Sequence, residues 1–478
     1  MPTGRAGAML ALMLEVTNTL TRSREPVARP GGGHVRMYSC GPTVYRFAHI
    51  GNLRTFLLGD LVRRVLEARG VEVRQVQNIT DVGHMTDELF DAGDDKLLAA
   101  ARRERRTPQE IAAAYTEAFF ADTAAVGIRP ADAYPRASQY VPQMIELVRR
   151  LLDRGHAYEA GGTVYYSVES FPGYGRLSGN SPERLAPGHR VRIDPAKRHH
   201  ADFVLWRAAG PRRVVTWPSP WGRGFPGWHV ECSAMVLTEL GEDVDLHTGG
   251  ADLVFPHHED EIAQSEGAVG HRVVRTWLHG AHLLAEGRKM AKSTGNVYDL
   301  RDLEARDVDP LALRLLFLQA SYASQVGFTW EALGAAATAL GRLRRRVAEW
   351  SSTEPASGRS DAEAAVVAAY ERRFLAAVED DLDTPRALVV MAELEGDRSL
   401  PQAARAGVLL GWDRVLGLDL GRELGATLPV GAEALIARRE QARRARDWAA
   451  ADALREQLAA IGVEVTDTAA GTSWRLRA

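Results

Sequence analysis

The most constraining stretch of the chain lies between Val35 and Ile79, where the hydrophobic period changes twice. Val35-Arg36-Met37-Tyr38-Ser39-Cys40 alternates as a strand does, Gly41-Pro42 turns the chain, and a loop runs to His49-Ile50-Gly51-Asn52. Phe56, Leu57, Leu61, Val65 and Leu66 then recur at helical spacing up to Gly70, placed as a C-terminal cap, and Val71 to Ile79 reads as a second strand. Strand, glycine-containing loop, helix and strand make a βαβ unit. Its strands lie parallel, its crossover is right-handed, and ligands gather at the strand C-terminal ends, the layout of a mononucleotide-binding fold.

The alternation returns at Val244-Asp245-Leu246-His247, ends at Gly249-Gly250, and is followed by a predicted helix with Pro256 in its first turn. The expected fold class is therefore α/β, a split Rossmann-type parallel sheet interrupted by an inserted subdomain. Residues 99–155 read as helical, punctuated by Pro130, Pro135 and Pro142, and 161–225 are rich in Gly, Pro and aromatics, which suits a partly β insertion. Beyond Leu300 the pattern is almost wholly helical, with Ser351–Asp361 as a linker. The division that follows is 1–30 as N-terminal extension and start of the fold, 31–125 with 226–290 as the catalytic domain, and 126–225 as the connective subdomain. Residues 291–345 form a mobile loop and stem-contact region, 346–425 a helical bundle, and 426–478 a C-terminal segment.

The 478 residues, 45% hydrophobic and 25% charged, suit two to four globular domains and exclude collagen-like, disordered and disulfide-scaffold chains. A formal charge of -3 excludes bulk basicity, so any polyanion is met by a local patch. Two cysteines, Cys40 and Cys232, are too few for a stapled secreted fold and suit a reducing cytoplasm. The apolar run Ala8–Leu14 is far short of the roughly 20 residues of a membrane span and lacks a signal cleavage site, so it is expected to be a disordered extension, with Met13 as an alternative start.

Two constellations carry chemistry. His257 and Glu261 stand four apart on a predicted helix and share a face; Cys232 is a nearby soft ligand, and Cys40 could complete a tetrahedral zinc site if the two sheet halves converge. Spacing alone leaves open two merely buried cysteines, and His258 competes as the imidazole. His49 to Asn52 precedes a helix, whose N-H groups and dipole suit an anion, and Lys289 and Lys292 sit three apart in a glycine-bounded loop able to close over phosphates. A solvated basic loop is the alternative for that segment.

Taken together, Cys40-Gly41-Pro42-Thr43-Val44-Tyr45, His49-Ile50-Gly51-Asn52, Asn78-Ile79-Thr80-Asp81, Gly227-Trp228-His229-Val230-Glu231-Cys232, Phe255-Pro256-His257-His258-Glu259 and Lys289-Met290-Ala291-Lys292-Ser293 resemble, in order and spacing, class I cysteinyl-tRNA synthetases. The resemblance continues through Asp380-Asp381-Leu382-Asp383-Thr384-Pro385 to Gly471-Thr472-Ser473-Trp474-Arg475. It implies one Zn2+ held by Cys40, Cys232, His257 and Glu261 and binding the substrate thiolate, with Gly41, Thr80 and Trp228 lining the amino-acid pocket. It implies Mg-ATP held by His49, Gly51 and Asn52, by Asp252 at the nucleoside, and by Lys289 and Lys292, the latter at the transition state. The implied reaction is formation of cysteinyl-adenylate from L-cysteine and ATP, then transfer to tRNA(Cys), by a cytoplasmic monomer.

Three departures stand out. Asn52 replaces a common His, Ala291 a common Ser, and Val82-Gly83-His84-Met85 follows Asp81 where the family continues with paired aspartates. At the C-terminus, Arg438, Arg439, Arg443, Arg444 and Arg446 form a basic run on a predicted helix beside Trp448, and Arg443, Arg444, Trp448 and Asp452 are the expected tRNA contacts. The alternatives are a ligase passing adenylated cysteine to a small-molecule amine, as in mycothiol synthesis, and a non-catalytic tRNA-binding homologue.

Overall fold

The computed structural model describes residues 13–29, 31–87, 92–180, 194–210, 213–290, 296–352, 360–425, 428–468 and 471–476. The chain opens with a hairpin of β1 (Glu15–Asn18) and β2 (Ser23–Pro26). Leu14, Val16, Val27 and Ala28 of this segment are buried, so the core begins before the βαβ unit, and Leu14, the end of the apolar run expected to be disordered, belongs to it. Residues 1–12, the rest of that extension, lie outside the described residues.

The βαβ unit is β3 (His34–Ser39), α1 (Ile50–Ala68) and β4 (Glu72–Gln77), with β3 and β4 parallel from His34 opposite Glu72 to Ser39 opposite Gln77. α1 forms because its apolar residues recur every third or fourth position. Ile50, Leu53, Leu57, Leu58, Leu61, Val62, Val65 and Leu66 are all buried, each contributing about 1.5–3 kcal/mol of apolar burial. Gly70 takes φ +76° after the helix, the left-handed position that favours glycine. A short hairpin, β5 (Met85–Asp87) and β6 (Ala92–Asp95), then leads into α2 (Lys96–Glu104) and α3 (Pro108–Ala125).

The insertion begins with α4 (Val141–Asp153) and continues as an antiparallel sheet of β7 (Ala157–Ala160), β8 (Thr163–Tyr166), β9 (Phe203–Ala208) and β10 (Gly224–Pro226), in the order β10-β9-β8-β7. The chain returns through α5 (Trp228–Glu239) to β11 (Val244–Gly250), α6 (Glu259–Val269) and β12 (Val274–Gly280). β11 pairs in parallel with both β3 and β12, giving the four-stranded order β12-β11-β3-β4. β3 therefore sends its chain to one side through α1 and receives β11 on the other, and the crevice between their C-terminal ends is where such sheets bind ligands. The helix after Pro256 begins only at Glu259. Val254–His258 form a wide turn with Phe255 extended (φ −141°, ψ 132°), so Pro256 precedes the α-helix and is not in its first turn.

A small sheet of β13 (Leu283–Ala285), β14 (Arg288–Lys289) and, after α7 (Leu300–Glu304) and α8 (Pro310–Leu318), β15 (Val326–Phe328) adjoins this domain. Arg314 on α8 and Asp60 on α1, both fully buried, pair at 2.7 Å and clamp the two helices together. A helical bundle follows: α9 (Trp330–Ser351), α10 (Asp361–Glu379), α11 (Thr384–Gly396) and α12 (Gln402–Leu416). Asp381 ties this bundle to β1 by accepting hydrogen bonds from Thr17 N (2.8 Å) and Thr17 Oγ1 (2.7 Å). Most of the predicted linker, 353–359, lies outside the described residues.

The last unit is α13 (Ala432–Arg444), α14 (Trp448–Ala460) and a hairpin of β16 (Val463–Thr468) and β17 (Gly471–Leu476), packed around Ala432, Leu458 and Val463. The chain beyond Leu300 is thus less purely helical than its pattern suggests. Gly462, at φ +78°, stops α14, and the alternating Val463 and Val465 that follow pair across a hairpin. No helix among the described residues is long and apolar enough to cross a membrane.

Candidate functional site

Cys40 directly follows β3, and His257, His258 and Glu261 follow β11 at the same end of the sheet. Their ligating atoms, one from each residue, all lie within 4.8 Å of one another, and all four residues are buried. Cys40 Sγ is 3.1 Å from His258 Nε2 and 3.9 Å from Glu261 Oε1, and His257 Nε2 is 3.0 Å from Glu261 Oε1. Cys232, buried on α5, stands beside this group, close enough for its thiol to interact with Cys40, His257 and Glu261. The wide turn before α6 brings the adjacent His257 and His258 to the same cluster, so the geometry admits either imidazole. A soft thiolate, imidazole and carboxylate set with no exposed member is the donor chemistry of a transition-metal site, and these residues could hold one ion.

The electrostatics agree with a cationic occupant. Burial would raise the Glu261 carboxyl, but the imidazoles of His247 and His257 outweigh it and bring it down to about 2. The hydrogen bond with Cys40 lowers the Cys232 thiol to about 7, while burial and that same partner push Cys40 up. A carboxylate and a thiol poised to ionise in a buried pocket are stabilised by positive charge.

Behind the cluster lies a stack of histidines that spacing did not reveal. His229 Nδ1 is 2.9 Å from His257 Nδ1 and its Nε2 is 3.4 Å from Asp260; His247 Nε2 meets Glu261 Oε2 at 3.0 Å; and His258 Nδ1 meets His279 Nε2 at 2.7 Å. Such outer contacts fix ring orientation for a ligand shell. The density of histidine between 229 and 279 was the available signal. Half-buried Trp228 stacks on His257 with centroids 4.3 Å apart. Thr80 donates to the buried Glu231 carboxylate at 2.9 Å, and Gly41 N donates to Asn78 Oδ1 at 2.7 Å. A Cβ on Gly41 would lie 1.8 Å from the Asn78 carbonyl oxygen, so this position needs glycine.

The segment expected to bind anions is the start of α1. His49 and Asn52 cap the helix reciprocally: Asn52 N donates to His49 Nδ1 at 3.1 Å, and His49 N donates to Asn52 Oδ1 at 3.2 Å. Because Nδ1 accepts, the neutral imidazole carries its proton on Nε2, and Asn52 keeps its amide NH2 for another acceptor. Burial, with Arg46 nearby, lowers His49 to about 4. Asp252 is exposed in the turn after β11. Lys289 lies on β14, whose backbone pairs with Leu284 of β13, while Lys292 falls in 291–295, outside the described residues.

In the C-terminal unit, the basic run does not occupy one helix. α13 ends at Arg444, and Arg446 turns the chain at φ +59°. Arg439 is buried and pairs through both terminal nitrogens with Asp467 at 2.8 Å, and Arg443 meets the same carboxylate at 2.8 Å, so these two hold the hairpin. Trp448 is 56% exposed, with Arg443 lying 5.6 Å from its ring centroid, and Arg444 and Asp452 are exposed.

Residues 27–338 match the family model of the class I (C) tRNA synthetase catalytic domain, and the fold and cleft described above are those of a class I synthetase. Residues 426–475 match the cysteinyl-tRNA ligase anticodon binding domain. The chain belongs to the cysteine–tRNA ligase family. It is 46% identical over 482 residues to the cysteine–tRNA ligase of Thermus thermophilus, covering 97% of this chain and 99% of that protein. It is 41% identical to that of Symbiobacterium thermophilum, at the same coverage. Among solved structures, Mycobacterium tuberculosis methionyl-tRNA synthetase with methionyl-adenylate shares the fold at TM-score 0.58 and 17% identity, over 87% of this chain and 96% of that one.

Proposed function

We propose that this chain activates L-cysteine with Mg-ATP and transfers the cysteinyl group to tRNA(Cys). The observation that carries the reading is the buried cluster of Cys40, His257, His258 and Glu261, with Cys232 beside it, in the same cleft as the capped start of α1. The donor set fits zinc, and of the two imidazoles we assign His257, with Cys40, Cys232 and Glu261 as the other ligands. When bound, zinc supplies a soft Lewis acid that favours a readily ionised thiol over an alcohol, which separates cysteine from serine better than a pocket sensing size alone.

The first step needs no general base, because a carboxylate is already ionised at the moment it attacks the α-phosphorus. What the chain supplies is position and complementary charge. Trp228, Thr80 and Gly41 orient the amino acid. The positive end of the α1 dipole, with Gly51 allowing close approach, the Nε2 proton of His49 and the side-chain amide of Asn52 face the phosphates. Asp252 holds the nucleoside through its ribose. Lys289 and Lys292 close over the departing pyrophosphate, and Lys292 meets the charge that develops in the transition state.

Exposed Trp448, flanked by Arg443, Arg444 and Asp452, offers a stacking surface for an unpaired base. The C-terminal unit favours tRNA over a small-molecule amine as the acceptor, since an amine ligase has no use for it. We read the enzyme as a cytoplasmic monomer. The test combines metal content, cysteine-dependent ATP-pyrophosphate exchange and charging of tRNA(Cys). Exchange without charging would indicate a different acceptor, and no exchange with a full complement of metal would leave only a binding role.

A further inference from the structure

The departure after Asp81 has a structural solution. β5 and β6 pair with Met85 opposite Asp95, so the chain leaves at Val82, folds out as a hairpin and returns to the same place at Asp95. The hairpin root is held firmly. Arg213, from the inserted subdomain, pairs with the Asp95 carboxylate, donates to the Gly83 carbonyl at 2.7 Å, and lies 3.8 Å over the Phe225 ring. Gly83 leaves no room for a side chain, since a Cβ there would meet Asp95 Oδ2 at 2.0 Å, and Lys96 N fixes the carbonyl of the next residue, His84, at 2.8 Å.

That next residue points inward. His84 is buried, its Nε2 is 2.7 Å from Glu231 Oε1, and its ring is 6.2 Å from that of Trp228. The second Glu231 oxygen accepts from Thr80 Oγ1 at 2.9 Å; Thr80 Oγ1 accepts from Asn78 Nδ2 at 3.1 Å; and Asn78 Oδ1 accepts from Gly41 N at 2.7 Å. Hydrogen bonds thus run from the residue after Cys40 to Glu231, and the close contact of His84 with that carboxyl extends the chain to the hairpin root. A hydroxyl has one proton and two lone pairs. With the proton committed to Glu231 and one lone pair to Asn78, Thr80 can meet a substrate only as an acceptor, so it suits the ammonium and not the carboxylate of an amino acid.

We propose that His84, contributed by the inserted hairpin, is a positioning residue for cysteine binding: it fixes the Glu231 carboxylate, which in turn sets the direction of the Thr80 hydroxyl in the amino-acid pocket. This rests on the assignment of Thr80 and Trp228 to that pocket. His84 touches no reacting atom, and its effect belongs to substrate affinity. Because the contact is made by Nε2, a glutamine amide can reach Glu231 and an asparagine amide cannot.

The test uses the full chain with its metal. His84→Asn is expected to raise KM for cysteine in pyrophosphate exchange about tenfold, with kcat within about twofold, while His84→Gln stays within about threefold of the parent. Metal content is expected to be unchanged in both. Thr80→Val is expected to raise the same KM, and to add little when combined with His84→Asn, because both act on one chain of contacts. Equal KM values for the Asn and Gln variants, additive effects of His84→Asn and Thr80→Val, loss of kcat and metal in parallel with KM, or an Asn variant that does not fold would each overturn the proposal. Absence of cysteine-dependent exchange in the parent enzyme would instead overturn the functional reading beneath it.

Discussion

Met290 packs against Gly51: a Cβ on that glycine would lie 2.5 Å from the Met290 methyl carbon. The two segments proposed to bind phosphates, far apart in sequence, are therefore in contact through a residue between the two lysines. Gly51→Ala is expected to displace the flexible Met290 at a stability cost below about 1 kcal/mol, yet to slow adenylate formation about tenfold by shifting the lysine segment. Thermal melting paired with pyrophosphate exchange reads the two effects separately, and a large loss of stability would show that Gly51 serves the helix alone.

Metal loading distinguishes the two imidazoles that the cluster admits. His257→Asn is expected to purify with little metal and to lose its preference for cysteine over serine, whereas His258→Asn keeps both. Cys40→Ser and Cys232→Ser should resemble His257→Asn. Metal analysis of the four proteins decides the matter, and a metal-free His258→Asn with a loaded His257→Asn would exchange the assignments.

Removing the charge at Lys292 should act on the transition state. Lys292→Ala is expected to lower the rate of adenylate formation by a factor of about 100 or more while changing KM for ATP only a few-fold. Single-turnover kinetics with saturating cysteine measure this directly. Equal losses in rate and ATP affinity would make Lys292 a ground-state contact.

The acid limb of stability should carry the signature of His49. Its value in the folded state is lowered to about 4 from an ordinary 6.5, so between those pH values the unfolded chain binds a proton that the folded chain refuses. The stabilising contribution is complete above pH 6.5 and is lost as pH falls through 4, a change on the order of 3 kcal/mol. His49→Gln keeps a helix cap but does not titrate, and its denaturant midpoint should fall less steeply over that window.

At the other end of the molecule, Trp448→Ala is expected to raise KM for tRNA about tenfold, the worth of one base stack, and to leave pyrophosphate exchange untouched. Arg439→Ala should instead loosen the whole C-terminal hairpin, because Arg439 is buried and holds Asp467 through both terminal nitrogens, leaving that carboxylate only the single contact from Arg443. Limited proteolysis of the two variants distinguishes a lost contact from a lost fold.

The βαβ unit, the return of the sheet at Val244 and the end of α1 at Gly70 were legible in the order of residues, since period and punctuation are local properties of a chain, whereas α1 starts at Ile50, inside the expected loop. The motifs were legible too, because their chemistry is bound to residue type and spacing. The small hairpin after Asp81 and the one at Val463 were less so; short strands carry too few residues for their alternation to stand out. What the linear order could not hold is contact between distant segments. The approach of Cys40 to Cys232, the histidines ranked behind Glu261, the capture of Arg439 and Arg443 by Asp467, and the path from Gly41 to His84 all arise where strand ends and helix faces meet after folding. Composition set which groups were available for catalysis and binding, and burial in three dimensions decided which of them face one another.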